Sequence, residues 1–315
     1  MKTMTDKRQT KSRSKSSFTT FMSGLVARLH QNGQYKTWQH YRAAYRSLMR
    51  FRQDRDFPLS RMDGAMMEAY EAHLKQRGVC RNTSSFYMRI LRAVYNRAVE
   101  QGLVVQQHPF RHVYTGIDKT RKRAIPLDAV RRISRLTLSG SPSAELARDA
   151  FMLSFYLRGI SFVDLAHLKK TDLRDGYLHY TRSKTRRQVT VRWEPPMQAL
   201  LDKYKPLTAR SPYLFPFLLP DGDGQKPLDL LYHNAECRMA YHLKNIQRQA
   251  GIQSNLTLYV ARHSWASAAR DRQQPVSVIS EALGHDSEVT TQIYLRSIQT
   301  SEVDKLNADL LSDLS

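Results

Sequence analysis

From residue 18 to about residue 102, apolar side chains recur every three or four positions in four stretches, 18–30, 37–51, 62–74 and 83–99. That is the period of helices with one buried face. Gly33, Gly78 and Gly102 follow as plausible C-terminal stops, and Thr37 and either Asn82 or Thr83 are candidate caps. The four stretches predict a small helical domain over 18–105. Residues 106–125 contain Pro109 and several basic residues without a clear period, so they read as a linker. A second domain, 126–315, opens with helices predicted over 126–136 and 145–156. Tyr177–Thr181 and Gln188–Arg192 then alternate as two short strands joined by 182–187, a β-hairpin. From 228 onward the helical period returns, and 303–314 reads as one more amphipathic helix. The fold class is mainly α with a small β-hairpin or sheet, in two domains.

Charge narrows the partners. Lys and Arg number 50 against 28 Asp and Glu, a net +22 spread along the chain, which calls for a polyanion. Residues 1–17 are rich in Lys, Arg, Ser and Thr and poor in apolar groups, the composition of a disordered basic tail. They lack the apolar core of a secretory signal, and no apolar run is long enough to span a bilayer, so a cytoplasmic protein without membrane contact is expected. Cys80 and Cys237 sit in no metal-binding spacing, which predicts two free thiols and no metal.

The residues with chemical potential cluster late in the chain. Ala282-Leu283-Gly284-His285-Asp286 places a histidine at a helix junction: Gly284 ends a helix over 276–283, and Asp286 or Ser287 caps the next, which carries Tyr294. Upstream, Tyr259, Arg262 and His263 fall at i, i+3 and i+4 on one helical face, able to present a guanidinium to one target. In the N-terminal domain Arg89, Arg92 and Arg97, beside Tyr87 and Tyr95, are candidate DNA contacts on the fourth helix.

The series Ala-Arg262-His-Ser-Trp-Ala, Leu-Gly-His285 and Tyr294, nine residues after the histidine, resembles the tyrosine recombinase, or phage integrase, family. Arg158-Gly-Ile-Ser-Phe-Val-Asp-Leu looks like the element bearing the family's first catalytic arginine. Lys184 stands in the hairpin where the family carries its catalytic lysine. The wording is similar to a subgroup found on mobile elements and invertible promoters. The resemblance implies a clamp of a helical SAM-like core-DNA-binding domain and an integrase catalytic domain, with Tyr294 as nucleophile and Arg158, Lys184, Arg262, His285 and Tyr259 as catalytic residues. Ser161 and His263 are candidate accessory groups.

Two positions depart from the family pattern. Ser161 stands where most members have arginine, and Arg158, one helical turn upstream if the segment is helical, is expected to replace it. Arg182 and Arg186 of the hairpin are the basic residues in reserve. Tyr259 stands where histidine is common; a phenol donates to phosphate but is a poor base at neutral pH.

The implied reaction is cleavage and rejoining of duplex DNA through a 3′-phosphotyrosine, needing no cofactor, metal or ATP, for integration, excision or inversion. The implied partners are duplex recombination sites and a homotetramer on paired sites, with accessory DNA-bending proteins as an optional addition. The alternatives are a basic architectural protein with a decayed site, a type IB topoisomerase, and a metal-dependent transposase or nuclease, for which the carboxylate set is incomplete.

Overall fold

The computed structural model describes residues 17–118, 124–138, 140–220 and 226–295. Residues 1–16 of the basic tail and the amphipathic segment 303–314 lie outside the described residues. The chain divides into two compact units between residues 120 and 121.

The first unit contains α1 (Phe18–Gln31), α2 (Tyr35–Phe51), α3 (Gly64–Gln76) and α4 (Arg81–Glu100). Caps of known chemistry start two of them: Ser17 Oγ accepts from the Thr20 amide and Asp63 from the Met66 amide. The expected caps at Thr37 and Asn82 or Thr83 are instead inside their helices, which begin at Tyr35 and Arg81 without a side-chain cap. Phe18, Met22, Leu48, Met67, Tyr70, Met88 and Leu91 fill the core at helical spacing.

The segment expected to be a linker is packed over much of its length. Phe110 and Val113 are buried in the helical core, and the Tyr95 hydroxyl both donates to the Val105 carbonyl and accepts from the Gln107 amide. Asn82 bonds the Asp118 amide and carbonyl. These bonds satisfy a backbone that has no helical or sheet partners.

The second unit contains α5 (Leu127–Arg135), α6 (Pro142–Tyr156), α7 (Phe162–Ala166), β1 (Leu173–Arg174), β2 (Tyr177–Thr181), β3 (Gln188–Arg192), α8 (Pro195–Tyr204), α9 (Leu228–Gln249), α10 (Leu258–Arg270), α11 (Val276–Ala282) and α12 (Glu288–Leu295). The strands form an antiparallel sheet in the order β1-β2-β3, with Tyr177 opposite Arg192 and Thr181 opposite Gln188. Helix α6 is central: α9 and α10 both pack on it, burying Phe151, Leu153, Leu243, Ile246 and Val260. The buried Asp149 ties α6 to α8. Burial alone would raise its pKa, but bonds from Arg148, Lys203 and Tyr204 hold the carboxyl below the usual carboxylate range.

Among the described residues no helix is long and apolar enough to cross a membrane.

Candidate active site

The Leu-Gly-His turn is a helix end whose geometry dictates what surrounds it. After α11 the His285 amide bonds back to the Ser280 carbonyl and the Gly284 amide to the Glu281 carbonyl, with Gly284 at φ +61°. This Schellman ending turns the next carbonyls away from the helix axis. Three consecutive ones are then taken by guanidinium groups. Arg262 Nη2 donates to the Leu283 carbonyl, Arg182 Nη1 to the Gly284 carbonyl at 2.7 Å, and Arg187 Nη1 to the His285 carbonyl. Arg187 also pairs with Glu281 on α11. The turn is thereby bound to α10 and to both ends of the loop between β2 and β3.

Arg262 and Arg182 are 4% and 8% exposed, so both cations are largely withdrawn from water. Arg262 makes a further bond, Nη1 to the Gly159 carbonyl at 2.8 Å. Gly159, at φ +78°, lies against the arginine itself: a Cβ there would meet Arg262 Cγ at 2.5 Å and Cα at 2.6 Å. Charge-assisted bonds of this kind fix a guanidinium in one place.

A cavity of about 740 Å³ brings together Arg262, Arg182, Lys184, His285, Tyr259 and Ser161. The His285 ring is buried, and its Nδ1 is 2.7 Å from Thr291 Oγ1 on α12. Burial, reinforced by the positive charges of Arg262, Arg182 and Lys184, lowers its pKa to about 4, so the imidazole is neutral at pH 7. Tyr180, on β2 beneath the cluster, has its pKa pushed up to about 12, by burial first and then by the Asp164 charge. Asp164 joins two loops: one oxygen accepts from Ser161 Oγ at 2.6 Å and the other from the Ser183 amide at 2.9 Å, between Arg182 and Lys184. Tyr259 is 60% exposed at the cavity mouth, its ring edge-on to buried His263 at 4.5 Å between centroids. Helix α12 carries the backbone of Tyr294.

Arg158 is not brought into this cavity. The expectation that it shares a helical face with Ser161 is overturned by the end of α6: Arg158, at φ +57°, and Gly159 form a left-handed turn, and Ser161 then caps α7. Arg158 reaches instead toward the Thr190 carbonyl, at 3.4 Å, and lines a second cavity with Arg187, Trp265 and the other side of His285. The buried arginine in the place of interest is Arg182, one of the two held in reserve. Arg186 is exposed, its backbone closing the hairpin by an amide bond to the Arg182 carbonyl.

The candidate DNA contacts on α4 divide too. Arg92 and Arg97 are exposed, Arg89 is half-buried, and Arg92 donates to Thr115 at 3.2 Å. Tyr95, expected beside them, is a core residue. Sequence reasoning also passed over Gly159 and Thr291. The adjacency of an arginine and a glycine at the end of an apolar helix was the signal for the first. For the second there was only its position three residues before Tyr294.

Comparison with known proteins agrees with this architecture. Residues 17–114 match the phage integrase SAM-like domain and residues 128–300 the phage integrase family. The chain therefore belongs to the phage integrase family, the tyrosine recombinases. A tyrosine recombinase XerA of Pyrococcus furiosus is 28% identical over 183 residues, 57% of this chain and 59% of that protein, so the match spans little more than half of the relative's length. Among solved structures, a lambda integrase dimer bound to a COC′ core site superposes with a TM-score of 0.68 and 17% identity, covering 93% of this chain and 81% of that one. A lambda integrase tetramer bound to a Holliday junction superposes at 0.64 with 16% identity, covering 91% and 82%.

Proposed function

We propose that this protein is a site-specific DNA recombinase that breaks and rejoins duplex DNA through a covalent bond to Tyr294. The observation that carries the reading is the pair of buried guanidiniums, Arg262 and Arg182, anchored on consecutive carbonyls of the turn that presents His285 and leads into the helix of Tyr294.

The Tyr294 oxygen attacks a phosphodiester, forming a 3′-phosphotyrosine and releasing a 5′-hydroxyl. The bond energy is conserved, and reversal by another 5′-hydroxyl rejoins the strand without ATP. Negative charge gathers on the nonbridging oxygens in the transition state, where donors already fixed in place cost no reorganisation. Arg262 and Arg182 clamp those oxygens, and Tyr259 adds a hydroxyl donor at the mouth, while the Ser161 hydroxyl is committed to Asp164. His285, neutral at pH 7, donates to phosphate or receives the phenolic proton through Nε2. Lys184, in the hairpin turn at the cavity, protonates the departing 5′-oxygen. Arg158 stands behind His285 as an outer charge, and His263 supports the Tyr259 ring. The chemistry uses no metal or cofactor.

The partner is duplex DNA carrying specific sites, which the basic surface of α4 helps to hold, and the working assembly is four protomers on two sites. The similarity to a lambda integrase tetramer on a Holliday junction supports that assembly. The outcome is integration, excision or inversion, in the cytoplasm. The test is covalent trapping on a nicked suicide substrate carrying the native site, with EDTA present. Wild-type protein forms an adduct that maps to the Tyr294 peptide, and Tyr294→Phe binds the same DNA without forming one. An adduct in the Phe variant, or none from the wild type on its own site, overturns the reading; the latter is what an architectural protein predicts.

A further inference from the structure

Thr291 is fully buried, at 0% exposure, yet it carries a hydroxyl, and it lies on α12, outside the arginine cluster. A buried hydroxyl without a partner is costly. Here it meets His285 Nδ1 at 2.7 Å, and the imidazole is itself buried. The bond crosses from the Leu-Gly-His turn to the helix that bears Tyr294. Three residues of helix, about 4.5 Å of axial rise, separate Thr291 from Tyr294.

We propose that Thr291 is a positioning residue that fixes the rotation of the His285 ring and, through the same bond, seats the Tyr294 helix against the Leu-Gly-His turn. This inference rests on the proposed function of the site. Two consequences follow from one contact. With Nδ1 held by a hydroxyl, which can donate or accept, the ring keeps one rotation in either neutral tautomer. The nucleophile's helix is also registered against the turn that Arg262, Arg182 and Arg187 hold. A valine of nearly the same shape fills the space but offers no hydroxyl, so the packing and the hydrogen bond are separable.

The experiment is single-turnover cleavage of the suicide substrate by full-length protein, with nitrogen-15 NMR of the histidine rings, the His285 signals assigned by their loss in His285→Gln. In the wild type the His285 Nδ1 signal at pH 7 is that of a hydrogen-bonded ring nitrogen. Thr291→Val cleaves roughly 10- to 100-fold more slowly, the consequence of leaving a buried ring nitrogen unpaired. Its His285 Nδ1 signal moves to the position of an unbonded ring nitrogen, and its binding to the site is unchanged. Thr291→Ser, which keeps the hydroxyl, stays within about threefold of wild type. In a His285→Ala background, Thr291→Val has no further effect, since the threonine acts through the ring.

Wild-type cleavage by Thr291→Val overturns the proposal. So does equal loss in Thr291→Val and Thr291→Ser with an unchanged His285 Nδ1 signal, which is the signature of packing alone. An unbonded Nδ1 signal in the wild type overturns it without any variant, so a poorly folded valine protein does not protect it. Failure of the underlying site reading is distinguishable, because it shows as an adduct surviving in Tyr294→Phe.

Discussion

The arginines of α4 and those of the Leu-Gly-His turn are the same side chain put to opposite uses. Arg92 and Arg97 stand in solvent on a helix surface, and the bond of Arg92 to Thr115 is itself exposed. Arg262 and Arg182 are buried, each with a carbonyl partner, in a cluster that also lowers the pKa of a histidine. Exposed cations follow a phosphate backbone by adjusting, and their contribution is shared, screened by salt and replaceable. Buried, anchored cations cannot adjust, so they favour the one charge distribution that fits them, which is what stabilising a transition state requires. On the proposed function, the same charge would serve affinity in one unit and rate in the other.

The sharpest way to break this contrast is Gly159→Ala. Its methyl group would overlap Arg262, and the backbone there is left-handed, so a loss of roughly 2–5 kcal/mol of stability is expected together with loss of cleavage. Thermal denaturation and adduct formation measure both, and an active, stable variant would show that the anchor is dispensable. Next, Arg182→Ala should slow single-turnover cleavage by about 10²- to 10³-fold, the usual cost of a fixed oxyanion donor. Arg158→Ala should cost less than about tenfold, as suits a donor outside the oxyanion clamp. The reverse order would return the second clamp to Arg158.

Acidification probes the buried cluster from another side. His285 titrates near 4 in the folded chain against an ordinary value of 6.5, so between those values the unfolded chain binds the extra proton. Stability should accordingly fall as pH drops from 6.5 toward 4, by roughly 1–2 kcal/mol between pH 7 and pH 5. Urea titrations of wild type and His285→Gln isolate this part, since the variant should lack it. The smallest effects are expected on α4. Arg92→Ala or Arg97→Ala should weaken DNA binding modestly and alike across sequences and lower the salt slope by about one. Cleavage by the bound complex should keep its rate; a rate loss there would erase the division of labour.

What the sequence displayed, it displayed through local periods and spacings. The first-unit helices, the stops at Gly33, Gly78 and Gly102, and the strands Tyr177–Thr181 and Gln188–Arg192 are all set by neighbours in the chain. So is the reach from Arg262 to the Leu-Gly-His turn, which depends on one helix and the junction that follows. The failures were of contact rather than pattern. Helix α8 opens on two prolines and was passed over, although proline suits the first turn of a helix. Residues 106–118 have no period because their order comes from Tyr95, Glu71 and Asn82. Arg158 was expected on the face of Ser161 because helical spacing was extended past Tyr156, where the chain turns left-handed. Arg182 was identifiable only as one basic residue of a hairpin until the Gly284 carbonyl stood beside it.

The dependence of the two buried arginines on carbonyls 283 and 284 bears on how the chain is made. Gly159, Arg182 and Arg262 are synthesised before the turn that holds the guanidiniums, and Thr291 and Tyr294 follow it. A nascent or truncated chain ending before residue 283 has the cations but no acceptors for them at the turn. On the proposed function, the capacity to cut would be gained late in synthesis, after the surfaces of α1 to α4 are complete, and a prematurely terminated product of this kind would keep a basic surface for DNA without the means to cut it.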